Sequence, residues 1–267
     1  EVRPAYRGAT LAPWPNRVVD GRYAFGGEEY RLALTEPARG HALHGLAAWL
    51  DYTAIDKGSD HVTLSAVIEA QDGYPWRVRV ETRFSLDAEG LTQTVTAVNE
   101  SDTAAPYGTG PHPYLVAGGG RVDDWTFELP AAEVLHVTED RLAPTGLRAV
   151  DADDPSRFDY RTARRIGAAE IDHAYTGLLR DADGLATVRV TDADGHGVAM
   201  TWDAACAWVQ VHTADRPGLS GHRVGLAIEP MTCAPDAFNA QRYPYDEGLQ
   251  VLEPGGSLSA SWTIRAV

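Results

Sequence analysis

Residues 76–87 read Trp-Arg-Val-Arg-Val-Glu-Thr-Arg-Phe-Ser-Leu-Asp, and this run decides the fold. Trp76, Val78, Val80, Thr82, Phe84 and Leu86 share one face, while Arg77, Arg79, Glu81, Arg83, Ser85 and Asp87 share the other. A period of two held over such a length specifies a β-strand with one wet face. The C-terminus repeats the pattern, with Leu258, Ala260, Trp262, Ile264 and Ala266 alternating against Ser257, Ser259, Ser261, Thr263 and Arg265. Shorter runs read the same way at His61–Glu69, Leu91–Asn99, Ala186–Asp192, Val198–Asp203, Ala207–Thr213 and Val224–Glu229. Turn chemistry separates them: Asp183-Gly184 and Asp194-Gly195 suit two-residue hairpins. Gly (26) and Pro (16) punctuate the chain too densely for a helical bundle, and no stretch sustains a 3.6 period with paired caps. The expectation is all-β: a large antiparallel β-sandwich. No internal repeat points to a propeller.

Composition narrows the class further. At about 150 residues per domain the 267 residues approach two, yet sandwiches routinely use such a length as one, so residues 1–267 read as a single domain. The balance of 23 Lys+Arg against 38 Asp+Glu gives a formal charge of -15, which argues against nucleic-acid and anionic-membrane partners. Lys57 is the only lysine. No apolar run is long enough to span a bilayer, and no charged segment followed by an apolar stretch opens the chain. The chain begins with Glu1 rather than Met, so a leader could have been trimmed. Cys206 and Cys233 are too few for a disulfide framework, which makes a reducing cytoplasm the expected location.

Four segments carry candidate chemistry. In Pro13-Trp14-Pro15-Asn16-Arg17, prolines fix a backbone that offers an arginine fork and an amide beside an indole. A solvated loop arginine is the blander alternative. In His41-Ala42-Leu43-His44-Gly45 the histidine spacing could suggest a metal pair, but no further ligand follows at zinc spacing, so no metal is expected. A buried histidine satisfied by backbone is the favoured reading of that segment. In Gly110-Pro111-His112-Pro113-Tyr114 two prolines immobilise an imidazole whose ordinary pKa is about 6.5, suiting a general acid or a structural turn. Glu229 ends the apolar run Val224–Ile228, where a carboxylate is costly unless paired or working. Asp172, in Glu170-Ile171-Asp172-His173, has the same character more weakly, with surface placement as the alternative.

In chain order these segments resemble the aldose 1-epimerase (galactose mutarotase) family. Leu11–Arg17 resembles its Pro-x-x-Asn-Arg signature, Leu43-His44-Gly45 its Leu-His-Gly motif, and Gly110–Tyr114 its second histidine motif. Pro144-Thr145-Gly146 resembles a mid-fold turn, Ile171–Tyr175 the aspartate segment, and Glu229-Pro230-Met231-Thr232 with Pro235–Asn239 the glutamate motif. Two departures are similar to the divergent bacterial branch. Tyr114 is followed by Leu115-Val116 rather than Phe-Asn, and the Asn-Arg signature lies so near residue 1 that one or two leading strands of the family pattern fall outside this numbering.

The resemblance implies interconversion of sugar anomers without cofactor or metal, on a small-molecule sugar, by a monomer or homodimer. It implies Glu229 as base at O1 and His112 as acid at O5, on opposite sides of the C1–O5 unit and separated by a hexose-sized gap. It also implies His44 near O5, Arg17 and Asp172 on ring hydroxyls, and Asn16 and Tyr114 beside them; Trp14 and Trp202 are candidate aromatic walls, with core packing favoured for Trp202. A bell-shaped pH profile with carboxylate-like and imidazole-like limbs follows. A sugar with a charged 6-substituent would need an extra cation, for which Arg39, Arg77 and Arg223 are candidates. A non-catalytic carbohydrate-binding module would need neither Glu229 nor His112.

Overall fold

The computed structural model describes residues 4–267, and Glu1 lies outside them. Two antiparallel sheets face each other. The larger runs, in spatial order, Arg164–Arg165, Thr126–Glu128, Ala186–Thr191, Gly197–Trp202, Ser257–Ala266, Gly90–Asn99, Val78–Asp87, His61–Ile68 and Thr53–Lys57. The smaller runs Tyr114–Leu115, Leu226–Met231, Trp208–His212, Asp172–Leu178, Ala131–Val137 and Pro144–Ala149. The sandwich read from the sequence is therefore the architecture. The one α-helical turn among the described residues is Pro155–Phe158, which Asp154 caps through the Arg157 amide.

Strand Val78–Asp87 sits inside the larger sheet, with Val78 and Val80 fully buried. Leu86, by contrast, is 62% exposed, because the strand outruns its cover near the turn at Asp87. On the wet face Arg77 and Arg79 both reach Glu100, and Arg83 reaches Asp56. Thr92, Thr94 and Thr96 pair their hydroxyls with Thr263, Ser261 and Ser259 across the next strand. Such exposed pairs each contribute about 0–1 kcal/mol, so they fix register more than stability.

Between the sheets one apolar cluster runs from Ala12 to Trp262, taking Val80, Val95, Met200 and Trp202 from one sheet and Val134, Tyr175, Val209, Val211 and Ile228 from the other. Burying side chains of this size contributes about 1.5–3 kcal/mol each. Thr82 falls on this apolar face because Gln93 satisfies it: Gln93 donates to the hydroxyls of Thr82 and Thr10 and accepts from the Trp262 indole.

Three local expectations change. Asp183-Gly184 joins strands in different sheets and makes no hairpin. Asp194-Gly195 does sit in one, but it closes over three residues, since the Asp192 amide bonds the His196 carbonyl. Pro144–Gly146 opens an edge strand instead of forming a turn.

Short ladders over the open face of the smaller sheet position the site. Thr10–Leu11 pairs with Gly110–Pro111, and Arg17–Val19 pairs with His41–Leu43. Between these ladders Asn16 and His44 adopt left-handed backbone (φ 56 and φ 62), and the His44 amide bonds the Asn16 carbonyl. Gly45 follows at φ 69, and a Cβ there would lie 2.2 Å from the Ala12 carbonyl oxygen, which already accepts from the Leu46 and Ala47 amides. Only glycine fits that approach. Gly45→Ala should cost at least about 2 kcal/mol from backbone strain alone. Urea unfolding measures it, and an unchanged midpoint would show that the loop relaxes freely.

Candidate active site

The register of the smaller sheet brings the candidate residues together. Asp172 lies opposite His212, Gln210 opposite Glu229, and Ala227 opposite both His212 and Tyr114. By alternation Tyr114, Glu229, Gln210, His212 and Asp172 therefore share one face, while Val209, Val211 and Ile228 turn into the core. Glu229 does not end its strand. It is the fourth residue of Leu226–Met231, a strand buried on both faces. Pro230 is tolerated because Ile228 and Thr232, in phase with it, send their amides away from Trp208–His212 to the Pro113 and Thr109 carbonyls. The amide that proline lacks thus faces that other edge.

All seven expected residues line one cavity of about 260 Å³: Asn16, Arg17, His44, His112, Tyr114, Asp172 and Glu229. This lies just under the ~300–1,000 Å³ range of pockets for drug-sized ligands. His112 Nε2 stands 3.4 Å from Glu229 Oε1, with the two residues 5% and 2% exposed. They are side by side, with no hexose-sized gap between them, and the cavity opens in front of both. The His112 backbone is held at both ends, its amide bonding Ala9 O and its carbonyl accepting from Gly8. Its ring lies between Tyr6 and Tyr114, with centroids 6.1 Å and 5.3 Å away, and meets His44 edge-on at 5.0 Å.

Trp14 and Trp202 do not line the cavity. Trp14 packs on Tyr74 and Phe238, and Trp202 is in the core. Both are too apolar to leave such packing, and the aromatic walls are Tyr6 and Tyr114. Arg77 lies on the outer face of the larger sheet, and Arg223 is sealed between Asp123 and Asp215, so neither reaches the cavity. Arg39 does.

Sequence reasoning missed Glu36, Gln210, His212, Asp215, Arg216 and Tyr6, which also line the cavity. Glu36 grips Arg17 in a two-point fork (Nε 2.8 Å, Nη2 3.0 Å) and also takes Arg39 at 3.0 Å. Asn16 Oδ1 accepts the Arg17 amide at 2.9 Å. Gln210 Nε2 donates to Asp172 Oδ1 at 2.6 Å. Gln210 and His212 did carry a signal, two polar residues in phase within an apolar strand. Glu36 sits in a loop that carries none.

Electrostatics departs from ordinary side-chain values. Burial raises Glu229 well above 4.5, the Asp172 charge adds to this, and Arg17 opposes it only in part. Burial, with the His212 charge second, pushes His112 down to about 3. His44 is driven well below 6.5 by burial and then by His112 and Arg17. Burial alone would raise Asp172, but His212 and Arg17 outweigh it and hold it below 3.8. Burial thus disfavours charge on both members of the pair, and a proton shared between them favours Glu229 over His112. Six buried atoms of lining side chains make no hydrogen bond within the described protein: Glu229 Oε2, His112 Nδ1, His44 Nδ1, Gln210 Oε1, His212 Nδ1 and Arg39 Nε. Each such atom costs about 1–3 kcal/mol until a ligand or water satisfies it.

His44, His112 and Glu229 also bring a donor atom each within 4.8 Å of one another, a composition that catalytic zinc uses. The third ligand lies far along the chain, where spacing could not find it. The surroundings fit zinc poorly. A zinc-bound imidazole donates its second N–H to a carbonyl or carboxylate, and His112 Nδ1, turned away from Glu229, makes no such bond.

A family model described as Aldose 1-epimerase matches residues 1–265. The chain is 36% identical to the uncharacterized protein YihR of Escherichia coli K12 over 241 residues, covering 90% of this chain and 74% of that one. It is 27% identical to mouse galactose mutarotase over 184 residues, 65% of this chain and 50% of the other. The fold superimposes on the GalM/aldose epimerase homologue of C. elegans with a TM-score of 0.81 at 19% identity, covering 99% and 84% of the two chains.

The raised Glu229 carboxyl has a consequence for stability. Its folded value exceeds its unfolded one, so its contribution is intact below about pH 4.5 and is lost as pH rises toward the folded value. Glu229→Gln cannot ionise and escapes that loss. Wild type and variant should differ least near about pH 4, and above it the variant should gain about 1.4 kcal/mol for every pH step of one until the folded value is reached. Melting curves across that range decide it, and a difference independent of pH would refute the raised carboxyl.

Proposed function

Because the chain belongs to the aldose 1-epimerase family of isomerases, we propose that it interconverts the α and β anomers of a free hexose by proton transfer at the Glu229–His112 pair. The observation that carries this reading is the contact itself: a carboxyl and an imidazole, side by side at 3.4 Å, facing a cavity whose walls hold unsatisfied polar atoms. The reading takes residues 1–267 as one catalytic unit, supported by the core cluster that spans Ala12 to Trp262.

Mutarotation needs a base at the anomeric hydroxyl O1 and an acid at the ring oxygen O5. Both oxygens are bonded to C1, so an adjacent acid and base can serve them together. Before a sugar binds, the pair holds its proton on Glu229. A sugar hydroxyl reaching Glu229 Oε2 supplies a bond the carboxyl lacks and lets the proton pass to His112. Glu229 then takes the proton of O1 as C1=O1 forms. The C1–O5 bond breaks, and O5 takes the proton of His112. Rotation about C1–C2 presents the other aldehyde face, and closure returns both protons. Arg17, held by Glu36, donates to ring hydroxyls, and Asp172, steadied by Gln210, accepts from them. His44, neutral at physiological pH, completes the wall near O5.

One proton on the pair is the working state, so the activity limits belong to the pair as a unit. The acid limb lies well below the ordinary imidazole position, since activity falls only as His112 gains a second proton near about 3, and the other limb lies above the ordinary carboxylate position, where the raised Glu229 loses the last one. A profile of kcat/KM with an acid limb at ordinary imidazole pH would contradict this.

A charged 6-substituent is the second reading, favoured by one observation: Arg216 lines the cavity and forms no ion pair among the described residues. Against it, Glu36, Asp172 and Asp215 balance Arg17, Arg39 and Arg216 in the walls, which suits a neutral sugar.

Polarimetry on freshly dissolved pure anomers of glucose, galactose, glucose 6-phosphate and a 6-sulfonated hexose tests both readings. We expect fastest acceleration on a neutral hexose, and a loss of about a hundred- to ten-thousand-fold in kcat for Glu229→Gln. Acceleration of no sugar would leave a binding module. Glu36→Ala, which frees Arg17, should raise KM by about tenfold with kcat changed far less. The opposite split would move Arg17 from binding into the chemical step.

A further inference from the structure

A second cavity, of about 300 Å³, lies where the hairpin Arg22–Phe25/Glu28–Arg31 meets the 3-10 segment Ala237–Arg242. Arg22 and Arg31 stand directly opposite each other on the hairpin, a like-charge pairing that destabilises a ladder unless something answers it. Arg242 brings a third guanidinium, 3.7 Å from Asp236. Neither Arg22 nor Arg31 forms an ion pair among the described residues. In a chain of formal charge -15, three arginines around one cavity, with Glu29 the one acid in its wall among the described residues, form a local positive site. Tyr30 gives it an aromatic wall, fixed by stacking on Tyr23 at 5.1 Å and by contact with Trp76 at 5.2 Å.

Asn239 adds the observation that points to a ligand. It is 1% exposed and lines this cavity. Its Nδ2 is spent on two acceptors, the Arg22 carbonyl and Asp236 Oδ1, both at 2.8 Å. Turning the amide over would set oxygen against oxygen, so Oδ1 is fixed as the atom left over, and it makes no hydrogen bond. A buried acceptor without a donor calls for a hydroxyl, while the guanidinium forks call for an anion.

We infer that this cavity binds a hydroxylated organic anion of monosaccharide size, such as a sugar acid or sugar phosphate, at a site separate from the Glu229–His112 cavity. It does not rest on the proposed reaction, and its test reads binding rather than turnover. The probe is 6-phosphogluconate, which carries hydroxyls and charge but has no hemiacetal for the first cavity. Inorganic phosphate and sorbitol supply its two features separately. Titration calorimetry should give one site at least tenfold tighter for 6-phosphogluconate than for either part. Arg22→Glu/Arg31→Glu should weaken it at least tenfold while its melting point and turnover of an accepted sugar stay near wild type. Should the double variant fold poorly, Arg31→Ala alone should still weaken binding severalfold. Phosphate binding as tightly as 6-phosphogluconate would reduce the site to an adventitious ion only. No binding, or affinity indifferent to the arginines, would overturn it.

Discussion

A carboxyl buried in the middle of a strand is the constraint around which the molecule is arranged. Glu229 is enclosed by the Trp208–His212 strand on one side and by the Thr10–Leu11/Gly110–Pro111 ladder on the other. Desolvation of a lone carboxylate there is costly, so burial drives the group toward its protonated form. His112, burdened by the same burial, gives up its charge as well. Two groups that would be ion-paired in a wetter site are thus both neutral at rest. Moving their shared proton onto His112 therefore costs free energy in the free protein, and the bond that a sugar hydroxyl makes to Glu229 offsets that cost.

The rest of the cavity keeps permanent charge at a distance from that pair. Arg17 would pull Glu229 toward ionisation, but Glu36 takes its fork in a two-point contact and neutralises it. Asp172 pushes the other way and is itself tied to Gln210 and faced by His212. Salt bridges buried this deeply contribute little net stability, because desolvation offsets attraction. Their service here is geometric, holding a donor and an acceptor in fixed positions around a neutral ligand.

The fold was legible because its signal is local. Alternation in residues 76–87 and 257–266 depends only on the near neighbours of each residue, and sheets with one wet face write that pattern directly into sequence. Where both faces are covered the pattern fails, as in Leu226–Met231, and a proline there reads as a terminus although the strand continues. The cavity was legible where a local mark set a residue apart: His112 between prolines, Asn16 and Arg17 after prolines, His44 before a glycine, and Glu229 as a carboxylate against an apolar run. Glu36 and Arg216 act through space from loops without such marks, so no window of sequence could rank them. The aromatic walls failed for a related reason. An indole next to an arginine looks like a sugar platform, yet Trp14 gains more from Tyr74 and Phe238 than from an open cavity.

Asp236 shows how one residue serves two parts of the molecule. Its amide bonds the Arg17 carbonyl, its Oδ1 accepts from Val19 and from Asn239, and its Oδ2 accepts from Tyr243. The Arg17–Val19 strand is therefore anchored from behind by the same carboxyl that fixes the Asn239 amide. Burial tends to neutralise such a group, and the hydrogen bonds from Tyr243, Asn239 and Val19, with the Arg242 charge, oppose that tendency in part. Replacing it would loosen the arginine in one cavity and the amide in the other together. For that reason the substitutions that separate the two sites must be made at their rims, at Arg22 and Arg31 on one side and at Glu36 on the other, and not at the residue joining them.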